Sequence, residues 1–232
     1  EPDPWQVDLL RSDPKVNPID EMVLALCGRQ SGKSTTCGCL AYDDFCKGKT
    51  VILTAPSLRQ STELFRRILV FKHADDFCPR IVRQTQTEIE AHPSHGGRIV
   101  VVPATDQARG MTADTILADE ACFITDDDAL TAFFPMRRAS GRILLLSTPN
   151  GTRTGFFYDT WESNAEVRRI KAVSNETTRP DRLEQIEFDR RTMPEAKFRR
   201  EHLCEWVGSG EQLLSWGVLE RAMDNEEAAL CL

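Results

Sequence analysis

Met22-Val23-Leu24-Ala25-Leu26-Cys27-Gly28-Arg29-Gln30-Ser31-Gly32-Lys33-Ser34-Thr35 changes character twice. An unbroken apolar run stops at a glycine. A short polar loop with a second glycine then leads into Lys-Ser-Thr and the helix-compatible stretch 34–46. A strand, a glycine loop and a helix N-terminus in this order turn backbone N–H groups toward a phosphate chain. In such a cradle Gly32 admits close backbone approach and the Lys33 ammonium reaches β- and γ-phosphates. The Ser34 hydroxyl ligates Mg²⁺, and Thr35 donates to the α-phosphate. Gly28, Arg29, Gln30 and Ser31 complete the nucleotide-binding candidates. The pattern GxxxxGK[ST] is met imperfectly, because Cys27 holds the first glycine position and Gly28 follows one residue later. A coincidental Gly-Lys-Ser turn is the alternative.

Working outward, four more continuous apolar runs occur at 51–55, 99–102, 115–118 and 143–146. Continuous rather than alternating runs predict strands covered on both faces, hence a mostly parallel sheet. Between the first pair, 58–70 places Leu58, Thr62, Phe65, Ile68 and Leu69 on one side at helical spacing. Strands alternating with helices predict an α/β fold of the doubly wound kind. Residues 92–98 read as a loop entering a strand, 167–173 as a last strand, and 181–191 and 194–205 as helices, with a turn at Ser209-Gly210. The expected division is a P-loop core over 1–173 and a small helical subdomain over 174–232.

The run Thr115-Ile116-Leu117-Ala118 ends in Asp119-Glu120. At a fraying strand end two successive carboxylates can converge on one reaction centre. Asp119 then holds magnesium through water, and Glu120 orients and deprotonates the attacking water. A solvated acid pair capping a strand is the alternative. A third strand ends in Ser147-Thr148-Pro149-Asn150-Gly151. Strand tips face the ligand crevice in open α/β sheets, so Ser147 and Thr148 are expected to sense the γ-phosphate and couple its loss to neighbouring elements. Asp126-Asp127-Asp128 reads as a helix start, since consecutive loop acids cannot all face one metal pair.

Formal net charge is −7, from 36 acidic against 29 basic side chains. This argues against a nucleic-acid coat over a basic surface and leaves local patches open. The arginine pairs 66–67, 137–138, 168–169, 190–191 and 199–200 each read singly as solvated helix faces. The 8 cysteines make no CxxC and read as reduced thiols. No apolar run is long enough to span a bilayer and no signal-peptide core precedes the first strand, so no membrane partner and a cytosolic chain, cut from a longer protein, are expected.

These motifs together resemble the ATPase domain of the large subunit of viral (tailed bacteriophage) DNA-packaging terminases. The resemblance is carried by the arginine-bearing loop Gly28–Ser34, by Arg109-Gly110-Met111-Thr112 leading into Asp119-Glu120-Ala121, and by Ser147–Gly151. It continues more faintly in Phe198-Arg199-Arg200-Glu201 through Glu205-Trp206-Val207. Pro4-Trp5-Gln6 resembles the adenine-reading segment, with Gln6 bonding the base edge. The resemblance implies a RecA-like P-loop fold with a small C-terminal helical lid, and ATP with Mg²⁺ as ligands. It implies catalytic roles for Lys33 and Glu120, and a trans-acting finger at Arg109, against the alternative of a local salt bridge. Arg29 would either touch the γ-phosphate or brace the loop.

The implied function is translocation of double-stranded viral DNA into a procapsid by a homo-oligomeric ring, a pentamer on the resemblance. The ring would act on a portal with the terminase small subunit, in the cytoplasm of the infected host cell. Full-length relatives carry a nuclease domain, whose carboxylates find no match here, so no nuclease activity is expected. Two alternatives stand beside this reading. A helicase-type nucleic-acid-dependent ATPase needs a second RecA-like domain, for which the chain has no room. A slow nucleotide-binding assembly module has no need of Glu120.

Overall fold

The structure, a computed structural model, describes residues 2–105 and 110–207. Its elements follow in the order α1 (Pro4–Leu10), β1 (Met22–Cys27), α2 (Lys33–Cys46), β2 (Thr50–Thr54), α3 (Leu58–Ala74), β3 (Ile81–Gln84), β4 (Glu88–Ala91), β5 (Arg98–Val101) and β6 (Ala113–Asp119). Then come α4 (Asp127–Thr131), β7 (Arg137–Ser147), α5 (Phe156–Glu162), β8 (Arg168–Ala172), α6 (Pro180–Thr192) and α7 (Glu195–Leu203). The strands form one eight-stranded sheet in the order β3-β4-β5-β2-β6-β7-β1-β8. From β5 to β8 all neighbours are parallel.

Alternation along the strands divides the core into two layers. Val23, Ala25, Val51, Leu53, Leu117, Leu144 and Leu146 point to the side of α1, α2 and α3, against Leu9, Leu40, Phe45, Leu64, Phe65 and Ile68. Leu24, Leu26, Ile52, Ile116, Ala118, Ile143 and Leu145 point the other way, onto Leu130, Phe133, Phe157 and Cys204. Both faces being covered is why these strands lack polar alternation. Each fully buried aliphatic side chain contributes about 1.5–3 kcal/mol relative to exposure.

Three features depart from expectation. The β3–β4 hairpin adds an antiparallel edge beside β5; its outer strand is exposed from Val82 to Gln84, so it carries no apolar run to read. Helix α3 buries Ser61, Leu64, Phe65 and Ile68 and leaves Leu58 exposed, a face rotated from the predicted one. Strand β7 begins at Arg137, earlier than its apolar run, because Ala113 pairs with Arg137 across a register shift. The acidic triplet does start a helix: the Asp126 carboxylate accepts from the N–H groups of Asp128 and Ala129. Ser209-Gly210 lies outside the described residues. Among the described residues no helix is long and apolar enough to cross a membrane.

A buried charge cluster ties the N-terminal end of the sheet together. Asp44, at the end of α2, accepts from Arg142 on β7 at 2.9 Å, from Thr115 on β6 at 2.7 Å and from Lys49 at 2.6 Å. Arg142 also bonds the Ser12 carbonyl. Burial opposes the Asp44 charge, but the Arg142 guanidinium and the Lys49 and Thr115 bonds outweigh it and hold the carboxyl below its ordinary range.

Candidate active site

Strands β6, β7 and β1 end side by side. Asp119 is in register with Leu146, and Ser147 with Leu26, so the acid pair, the hydroxyl pair and the glycine loop open on one edge of the sheet. Beyond β1, Gln30 takes φ +59° and Gly32 takes φ +87°, and α2 starts at Lys33. A Cβ at residue 32 would lie 2.7 Å from Gln6 Nε2. That side chain donates to the Ser31 carbonyl at 3.2 Å, and its Oε1 accepts from the Asp3 N–H at 2.8 Å. Gln6 is thus laid across the loop by α1.

Gly28 serves a different contact from the one its motif position suggests. A Cβ there would meet Ser174 Oγ at 2.3 Å, Ser174 N at 2.9 Å and the His202 carbonyl at 3.0 Å. Its absent side chain lets the segments after β8 and in α7 close on the loop. Arg29 fastens the same junction. Its N–H donates to the Glu201 carbonyl, its Nη1 lies 2.6 Å from the Glu201 carboxylate, and its carbonyl accepts from Ser174 Oγ at 3.1 Å. Of the two roles left open for Arg29, bracing is the one these bonds perform.

The acid pair meets the loop directly. Lys33 Nζ lies 2.7 Å from Glu120 Oε1, and Ser34 Oγ donates to Asp119 Oδ2 at 3.0 Å. Convergence of two successive residues has a specific cause. Glu120 leaves the strand with φ +54° and ψ +43°, a left-handed conformation that costs a non-glycine residue roughly 1–2 kcal/mol. Its N–H is held by Asp119 Oδ1 at 3.0 Å. Burial lowers the Lys33 ammonium, yet Glu120 and Asp119 more than restore it, so its pKa is raised. Burial, with Glu120 adding to it, raises the Asp119 carboxyl against the pull of Lys33.

The hydroxyl pair divides. Thr148 faces the cavity, its Oγ1 3.3 Å from Glu120 Oε2. Ser147, expected beside it, is instead fully buried; it accepts from the Cys122 N–H at 3.0 Å and donates to the Thr148 carbonyl at 2.8 Å. It ties the segment after Glu120 to Thr148 and does not line the cavity. Arg109 lies outside the described residues.

All of this surrounds a cavity of about 570 Å³, whose walls include Gly28, Gly32, Lys33, Ser34, Thr35, Glu120 and Thr148. Six cationic side chains and two carboxylates line it, in a chain of net charge −7. Arg67, Arg179 and Arg182 are cations that the motifs did not reveal, and Arg200 stands in the faint resemblance segment 198–201 without a role; Arg67 and Arg200 belong to arginine pairs that read as solvated. Size and polarity suit a nucleoside polyphosphate. The residues also fit a magnesium ion, since the Ser34 hydroxyl in the cavity wall already donates to the buried Asp119 carboxylate.

Residues 24–217 match the family described as terminase large subunit, T4likevirus-type, N-terminal. The chain belongs to this family. Among solved structures, the terminase chain is similar to the large terminase ATPase domain of Thermus phage P74-26, at 22% identity and TM-score 0.68 over 89% of this chain and 94% of that one. It is also similar to the HK97 bacteriophage large terminase, at 13% identity and TM-score 0.69 over 88% of this chain and 50% of that one. A third is the large terminase of a thermophilic bacteriophage, solved in complex with ADP, at 12% identity and TM-score 0.65 over 88% and 53%. The chain therefore spans about half the length of the last two proteins. These likenesses establish the RecA-like fold of phage terminase ATPase domains. No curated protein matches the terminase chain in sequence.

Proposed function

We propose that this terminase chain is an ATP-hydrolysing motor domain that powers translocation of double-stranded DNA into a procapsid. The observation that carries the reading is the meeting of Lys33 with Glu120 and of Ser34 with Asp119, with Lys33, Ser34 and Glu120 lining one cationic cavity. The loop N–H groups and α2 N-terminus bind the phosphates, Gln6 contacts the base, and Ser34 and Asp119 hold Mg²⁺. Bound magnesium neutralises charge on the phosphate oxygens. In the chain alone Lys33 occupies Glu120. Engagement of Lys33 by phosphate releases the carboxylate, which then orients and deprotonates water with Thr148 steadying its second oxygen.

Burial of Lys33 and Asp119 raises the value of each such charge interaction over its value in water. Arg109 is proposed as the finger donated to a neighbouring subunit of the ring. The DNA, portal and small-subunit partnerships belong to the same proposal, as do the 1–173 core and 174–232 lid. The test is steady-state ATP hydrolysis over a range of protein concentrations. Activity per subunit that rises with concentration, and falls with Arg109→Ala nearly as far as with Glu120→Ala, supports the ring reading. Concentration-independent turnover stimulated by single-stranded DNA would favour a helicase-type enzyme, and retained ATP without turnover an assembly module.

A further inference from the structure

Resting on that reading, we infer that Arg200 binds the terminal phosphate of the nucleotide held by its own subunit. Arg200 lies on α7 and lines the same cavity as Lys33 and Glu120. Its guanidinium is seated over Gly151, where a Cβ would come within 2.9 Å of Nη1 and 3.4 Å of Cδ. Gly151 belongs to the segment that begins with Thr148, whose hydroxyl touches Glu120. Arg200 is therefore seated beside the segment whose first residue touches Glu120.

The other cavity cations are already engaged or exposed. Lys33 holds Glu120, Arg29 holds Glu201, Arg182 donates to Gln30 Oε1 at 2.7 Å and Arg179 faces Asp181, while Arg67 is exposed on α3. Arg200 is half-buried and has no hydrogen-bond or ion-pair partner among the described residues. A half-buried guanidinium without an anion is costly, and a phosphate oxygen is the partner its planar fork suits. Its neighbour shows the contrast: Arg199 is bound to Glu205 at 2.6 Å.

The test is calorimetric binding of ATPγS and ADP, each with Mg²⁺, to dilute monomeric protein, for the unaltered chain, Arg200→Ala, Arg200→Lys and Lys33→Ala. Loss of one charged hydrogen bond should weaken ATPγS binding roughly 10- to 100-fold in Arg200→Ala. ADP binding should change less than about threefold, and Arg200→Lys should recover part of the loss. Lys33→Ala should weaken both nucleotides. Equal effects of Arg200→Ala on both nucleotides, or none, overturn the assignment while leaving the phosphate cradle standing. Undiminished binding by Lys33→Ala, or none by the unaltered chain, overturns the cradle and the assignment together. Should Arg200→Ala fail to fold, Arg200→Lys decides alone, through its ATPγS-to-ADP affinity ratio.

Discussion

Glu201 grips Arg29 twice: its main-chain carbonyl takes the Arg29 N–H and its carboxylate takes the guanidinium, each at 2.6 Å. The phosphate loop is thereby fastened to a helix 172 residues away in sequence. Glu201→Ala keeps the main-chain bond and removes the other. Because the Arg29 side chain is 54% exposed, thermal stability should fall by less than about 1 kcal/mol. Nucleotide affinity, measured by fluorescence titration, should nonetheless drop a few-fold as the loop loosens. Tighter binding instead would show that freed Arg29 reaches the phosphates.

Lys33 and Glu120 are paired in the chain but act at different steps. Lys33→Ala should strongly weaken nucleotide binding. Glu120→Gln should leave binding near its original strength and lower turnover by about 10²–10⁴. Filter binding and phosphate release measured on the same preparations check the split. Equal loss of both quantities in Glu120→Gln would remove the base role.

Gly28 is bounded by backbone on two sides, so even a methyl group requires the chain to move. Gly28→Ala should destabilise the protein by about 1–3 kcal/mol. A melting temperature within error of the parent would mean that the segment around Ser174 and His202 can yield.

The Asp44 cluster makes a stability prediction far from the cavity. Arg142→Met should leave the fully buried Asp44 carboxylate with only Lys49 and Thr115, at a cost of up to about 3–5 kcal/mol. Because folding depresses the Asp44 pKa, its contribution is present above the ordinary carboxylate range and is lost as pH falls through the folded value. The gap between parent and variant in urea titrations should therefore narrow with acidification. A gap that widens would contradict the pairing.

Asp119 has the opposite sign. Folding raises its pKa, so the folded chain holds that proton more tightly than the unfolded chain. Its stability contribution is present at low pH and is lost as pH rises through the folded pKa. Without nucleotide, Asp119→Asn should gain on the parent in denaturation experiments as pH rises above the ordinary carboxylate range. A difference independent of pH would rule out Asp119 as the titrating group.

The central strands are legible in the sequence because a strand buried on both faces must be apolar throughout, as β1, β2 and β6 largely are. The β3–β4 hairpin is not, since an exposed edge has no hydrophobic pattern to impose. Within the site, Lys33, Ser34, Asp119 and Glu120 can be assigned because phosphate and metal chemistry restricts residue type at fixed spacing. The turn that brings Glu120 round is a backbone property that no side chain announces. Ser147 departs from its expected place for a related reason: successive hydroxyls at the end of a strand look alike in sequence, but Ser147 is still held in β7 while Thr148 has left it. Arg200 escapes a reading by pattern because one residue along a helix separates a solvent-facing arginine from a cavity-facing one.

The clamp on the phosphate loop also has a temporal meaning. Asp3 accepts from the Thr178 N–H, Gln6 crosses the loop, and Ser174, His202 and Glu201 close on Gly28 and Arg29. The loop's final shape thus draws on both extremities of the described chain. A polypeptide still emerging from the ribosome would own the glycine motif long before it owned a working cradle, and nucleotide capture would wait until α7 had been made.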